Sequence, residues 1–177
     1  MIKRLKSFLQ RFRRSEDGNP TVEFVLVFPV FMVLMGSAVE TGLLMTRQLM
    51  LERGLDLSVR AIRLGTGAEV DTVDIRRMVC NGAGILPDCM NQVKVEMIQI
   101  DPRNWQDFPV KPDCVDRGEE VQVSRNFANG ESHELMLLRV CALFDPILPN
   151  MGIGVQLTKG NTQPYALVST SVFVMEP

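Results

Sequence analysis

Residues 15–36 read SEDGNPTVEFVLVFPVFMVLMG. An apolar run ready to enter a bilayer carries a carboxylate, Glu23, at its front edge. A turn sequence, Asp17-Gly18-Asn19-Pro20, stands just before it. No charged residue occurs from Phe24 to Val39; Glu40 interrupts, and Thr41–Thr46 is uncharged again. As one helix, residues 24–46 span about 35 Å at ~1.5 Å per residue, enough to cross a hydrocarbon core. Asn19 suits a helix cap and Pro20 the first helical position. Pro29 has no N–H to give the carbonyl of Val25, so a kink is expected there, which membrane helices tolerate. A soluble core helix would show a polar face, and 24–39 offers only Ser37. The other competing reading is a secretory signal peptide, for which Gly36-Ser37-Ala38 is small enough to be a cleavage site.

Charge is distributed about this run. Lys3, Arg4, Lys6, Arg11, Arg13 and Arg14 precede it, against Glu16 and Asp17, while acidic residues outnumber basic ones from Arg47 onward. The positive-inside rule therefore predicts a single-pass protein with a cytoplasmic N-terminus and residues 47 onward outside. Ile2, Leu5, Leu9 and Phe12 recur at helical spacing among the basic residues, which fits either a surface-bound helix or a plain topological flank. The net charge is only −2, and no basic, aromatic-interleaved patch lies beyond the run, so nucleic acid is not an expected partner.

Past the run, Leu44, Leu51, Leu55, Val59 and Ile62 fall on one helical face, with Arg47, Glu52, Arg53, Asp56, Arg60 and Arg63 elsewhere. This predicts an amphipathic continuation of the helix, ended by Gly65-Thr66-Gly67. Residues 71–80 read as a second, short helix. The period then changes. Val93–Ile100 largely alternates, and with Glu120–Arg125, Leu135–Phe144 and Ala166–Met175 it reads as strands separated by Pro- and Gly-rich loops at 101–116, 126–132 and 145–164. The expected fold class is α+β: a long N-terminal transmembrane and amphipathic helix followed by a small antiparallel β-sheet domain. The expected divisions are a cytoplasmic basic leader (1–18), a transmembrane helix (19–46), its amphipathic continuation (47–70) and an extracytoplasmic α+β domain (71–177).

The four cysteines, Cys80, Cys89, Cys114 and Cys141, all lie in that last segment. An even count in an oxidising compartment suggests two disulfides. Of three pairings the local one, Cys80–Cys89 with Cys114–Cys141, is favoured, because the loop 81–88 can bring its ends together. Metal ligation is not expected: there is no C-x-x-C pair, and His133, the one histidine, is remote in sequence. No cofactor is implied. His133 between Ser132 and Glu134 makes no triad, and Gly152-Ile153-Gly154 follows a loop rather than a strand, a poor phosphate loop. An enzyme is not expected.

A carboxylate at the edge of hydrocarbon needs a partner. Cleavage between Gly18 and Asn19 would supply one. The basic leader would be removed, Asn19 would gain a free ammonium group, and Glu23 of one subunit could pair with that ammonium on its neighbour. The turn residues would leave the cut site accessible. Gly18 followed after four residues by Glu23-Phe24 resembles the type IV prepilin cleavage motif. Asp17-Gly18, Thr21–Leu26 and Pro29, then Val79-Cys80 through Pro87-Asp88-Cys89 with the strand from Val93, and the tail Ala166–Pro177 resemble more closely the TadE/TadF-like minor pilins (pseudopilins) of the tight-adherence, or Flp pilus, system, with TadE the nearer. Pro20, directly after the first mature residue, and Val174-Met175 in the tail depart from the pattern. The resemblance implies processing by a prepilin peptidase at Gly18-Asn19, subunit alignment through Glu23 and Phe24, and residence in a bacterial inner membrane with a periplasmic C-terminal domain. It also implies partnership with other pilus subunits and assembly-platform proteins, and a part in assembling or initiating an adhesive pilus. The alternative is an uncleaved single-pass anchor that presents a ligand- or surface-binding module, with the loops 101–116 and 145–164 as its candidate surface.

Overall fold

In a computed structural model the described residues are 20–64, 70–103, 111–118, 127–157 and 164–176. Helix α1 (Pro20–Leu64) is unbroken, passing through Pro29 without losing its helical pattern. Its N-terminal half is apolar all round. Its C-terminal half is amphipathic and buries Leu51, Leu55, Val59 and Ile62 on the face predicted from their spacing. The segment expected to end the helix lies outside the described residues, as does the strand expected at 120–125.

Helix α2 (Thr72–Ala83) begins at Asp71, whose carboxylate accepts the N–H of Thr72 at 2.6 Å. It ends at Gly84, whose positive φ of 63° permits the closing bond to the Cys80 carbonyl. Its Ile75, Val79 and Ala83 face α1 and join the same core. The two helices touch backbone to backbone. A Cβ on Gly54 would overlap the Val79 carbonyl, and one on Gly82 would lie 2.9 Å from the Gly54 Cα. The short helix α3 (Cys89–Gln92) is tied to the end of α2 by the Cys80–Cys89 disulfide.

The sheet has the order β1-β2-β3, all antiparallel, from β1 (Val93–Gln99), β2 (Leu135–Phe144) and β3 (Tyr165–Val174). The register places Val93, Val95 and Met97 opposite Ala142, Val140 and Leu138, and that face closes on the helices. Burying each large apolar side chain here contributes about 1.5–3 kcal/mol. α1 runs along β3 in the same sense. Arg47 Nη1 donates to Tyr165 Oη at 2.7 Å near one end, Gln48 Nε2 to the Val168 carbonyl at 3.3 Å, and Arg63 pairs with Glu176 at 2.7 Å near the other.

The opposite face of β1 and β2 carries Lys94, Glu96, Arg139 and Cys141, which alternation alone would leave in water. Segment 111–118 covers them. Lys94 Nζ pairs with Asp113 at 3.0 Å, Arg139 Nε with Glu96 at 2.9 Å, and the Asp113 N–H donates to Glu96 at 3.1 Å. The Cys114–Cys141 disulfide holds the cover in place. Opposite charges buried in pairs with added hydrogen bonds offset their desolvation, which lone charges could not.

Candidate functional site

The N-terminal half of α1 is the chemically unusual part of the molecule. Val22 through Met35 stay exposed, Phe24 by 61% and Leu26 by 70%. α1 is long and apolar enough to cross a bilayer. Phe24 and Phe28, one turn apart, stack at 4.9 Å between ring centroids. The hydroxyls of Ser37, Thr41 and Thr46 each donate to the carbonyl four residues earlier, at 2.7–2.8 Å. A polar side chain satisfied by its own helix is what an apolar surround requires.

Two carboxylates lie in the N-terminal half of α1 and meet different fates. Glu23 is exposed among apolar neighbours, and among the described residues no hydrogen bond or ion pair engages it. Glu40 is only 2% exposed. Its carboxylate accepts the backbone N–H of Ile147 at 3.1 and 3.0 Å and that of Leu148 at 3.2 Å. From sequence, Glu40 reads as a mark of the membrane boundary or a partner of Arg47. The Arg47 pair is not made: Glu40 goes to the 145–157 loop and Arg47 to Tyr165, with the guanidinium also 5.0 Å over the Phe144 ring. Burial pushes the Tyr165 phenol above its ordinary value of 10.0, while the Arg47 hydrogen bond and charge pull it down.

Small residues on α1 make room for the loop. A Cβ on Gly36 would sit 2.9 Å from Leu148 Cδ1, and one on Gly152 would overlap the Ser37 hydroxyl. The loop includes a short helix, α4 (Gly154–Leu157), that loop composition did not predict. The signals were present in the sequence: a carboxylate in an apolar run, and a distant stretch, Pro146–Leu157, that lacks charge entirely.

Residues 21–60 match the family model of TadE-like proteins. The matched segment lies wholly within α1 and contains Glu23, Phe24, Pro29 and Glu40, so the TadE-like resemblance read from the motifs holds over this helix. No curated protein and no solved structure matches the chain. Gly18 and Asn19 lie outside the described residues. The four cysteines form Cys80–Cys89 and Cys114–Cys141, with Cα separations of 5.7 and 5.2 Å. The first ties α2 to α3 and the second ties segment 111–118 to β2, and both lie outside the TadE-like segment. His133 is exposed in a turn at φ 71°, where its N–H donates to the Met175 carbonyl at 3.0 Å.

Proposed function

We propose that this chain is a membrane-anchored pseudopilin that takes part in assembling or initiating a tight-adherence pilus. In this reading a prepilin peptidase cuts after Gly18. The observation that carries it is the contrast between Glu23 and Glu40, the two carboxylates in the apolar half of the TadE-like helix. Glu40 is satisfied within the chain, whereas Glu23 stands exposed on an apolar surface with no described partner. A charge in that position calls for an opposite charge, and the ammonium group of a neighbour's Asn19 would supply it once the leader is gone. Phe24 and the apolar surface around it then pack helix on helix inside the membrane. The role is structural, and its partners are other pilus subunits and assembly-platform proteins.

The test is the N-terminus of the protein recovered from native membranes, read by intact mass or terminal sequencing. A start at Asn19 is expected. A start at Met1 would leave an uncut anchor and turn attention to the sheet domain as a binding module. A start just beyond the apolar run would make that run a signal peptide and overturn the proposal.

A further inference from the structure

The segment Pro146–Leu157 (PILPNMGIGVQL) contains no charged residue, and Asp145 and Lys159 flank it. It lies against α1 at a defined height. Leu148 fills the space beside Gly36, Gly152 approaches Ser37 and the Val33 carbonyl, and Glu40 holds the amides of Ile147 and Leu148. These contacts fall on residues 33, 36, 37 and 40, one face of two helical turns. At that same height α1 exposes Leu34, Met35 and Val39 on its other sides. The loop turns Ile147 (57% exposed), Met151 (45%), Ile153 and Val155 (46%) outward. Helix and loop therefore present one continuous apolar band.

We propose that Ile147–Leu157 is a second membrane-contact element. It is seated in the leaflet on the side of the folded domain, at the boundary of acyl chains and headgroups, and Glu40 clips it there. The proposal rests on the reading of α1 as a membrane span. Lipid is favoured as the occupant by continuity with the exposed apolar surface of α1, by the placement of charge, and by where the loop's amides go. Non-helical chain at membrane depth must satisfy its own polar groups. Pro146 and Pro149 have no N–H to satisfy. The amides of Ile147 and Leu148 go to Glu40, that of Met151 to the Leu148 carbonyl, that of Gly154 to Met151, and those of Gln156 and Leu157 to Ile153. Among the described residues the amides of Asn150, Gly152, Ile153 and Val155 make no backbone hydrogen bond, which suits a segment in the interface, where water and headgroups reach it, rather than in the hydrocarbon. Charges placed only at the two ends, with Asp145 held by Arg117 at 2.9 Å, suit a segment about 5–10 Å deep in the interface. The consequence is mechanical: two points of contact fix the tilt and rotation of the sheet domain on the bilayer, which a single helix would leave free.

The test uses the full chain in vesicles made with phosphatidylcholine brominated on its acyl chains. Single reporters are introduced in a Trp105→Phe background: Ile153→Trp and Val155→Trp in the loop, Phe28→Trp in the helix, and Val172→Trp on the exposed side of β3. The expected result is blue-shifted, quenched emission from both loop reporters, comparable to Phe28→Trp, with Val172→Trp unquenched. Adding Glu40→Ala to the Ile153→Trp protein should reduce its quenching and leave that of Phe28→Trp unchanged. If Phe28→Trp is quenched and the loop reporters emit as in water, the inference falls while the membrane span stands. If the loop reporters are blue-shifted but unquenched, a second copy or another subunit covers the loop, and the inference falls. If Phe28→Trp is itself unquenched, the membrane reading fails and takes the inference with it.

Discussion

Glu40 holds two backbone amides beside an apolar helix, and an amide stranded in such a place costs about 1–3 kcal/mol. Glu40→Ala is therefore expected to undock the loop without unfolding the sheet. Hydrogen exchange at Ile147 and Leu148 should accelerate about tenfold or more, since ~1.4 kcal/mol corresponds to a factor of ten. Glu40→Gln keeps one acceptor oxygen and should show a smaller effect. Glu23 is expected to behave in the opposite way. No described group depends on it, so Glu23→Gln should leave folding untouched and block co-assembly with other pilus subunits, read by pull-down and by pilus formation. Normal assembly in that variant would remove the alignment role. Tyr165 supplies the pH dependence. Its pKa is raised above 10.0 chiefly by burial, so the folded state holds the phenol proton more tightly than the unfolded one. The stability this contributes is complete below pH 10 and drains away as the pH rises through the folded value. Tyr165→Phe should flatten that alkaline decline in a denaturation series.

At the scale of elements, the crossing of α1 and α2 depends on glycine. An added methyl on Gly54 would meet the Val79 carbonyl and lie 3.1 Å from the Ala83 N, both backbone atoms that cannot turn aside. Ser58 Oγ, fully buried, donates to the Gly54 carbonyl at 2.8 Å within α1, so its hydroxyl is satisfied by its own helix. Helix propensity alone would make Gly→Ala favourable by about 1 kcal/mol. Gly54→Ala should instead destabilise by about 1–3 kcal/mol, the range for overpacking. Gly42→Ala, where nothing lies within 4 Å of the added atom, should be neutral or stabilising. Chemical denaturation of the two variants, followed by circular dichroism, separates the steric account from the propensity account by the sign of the change.

At the scale of the whole molecule, a small sheet is held between a pair of helices and a cover strapped on by a disulfide. The Cys114–Cys141 bond spans 27 residues and the Cys80–Cys89 bond spans 9. In the chain-entropy account, losing the first costs about 3–4 kcal/mol and losing the second about 2–3. Replacing Cys114 and Cys141 by serine should also open Lys94 and Glu96 to solvent, because segment 111–118 shields them. The expected readout is a larger drop in denaturation midpoint than for the Cys80 and Cys89 pair, with faster amide exchange in β1. Equal losses would mean that the buried ion pairs hold the cover unaided.

Much of this architecture follows from local pattern. The apolar run, the amphipathic stripe from Leu51 to Ile62, the alternation in β1 and β3 and the change of period between helix and strand each reflect a repeat within one segment. Single-segment periodicity is what a chain displays before it folds. The TadE-like character of α1 was likewise legible in Thr21–Leu26 and Pro29. The roles of Glu40, Lys94, Glu96 and Gly54 were not legible. Each depends on a partner far along the chain: Glu40 on the amides of Ile147 and Leu148, Lys94 on Asp113, Glu96 on Arg139, and Gly54 on Val79. A charge within an apolar or alternating pattern shows that a partner is needed. Only the tertiary structure decides which partner arrives, because loop closure and packing, rather than local propensity, bring the two groups together.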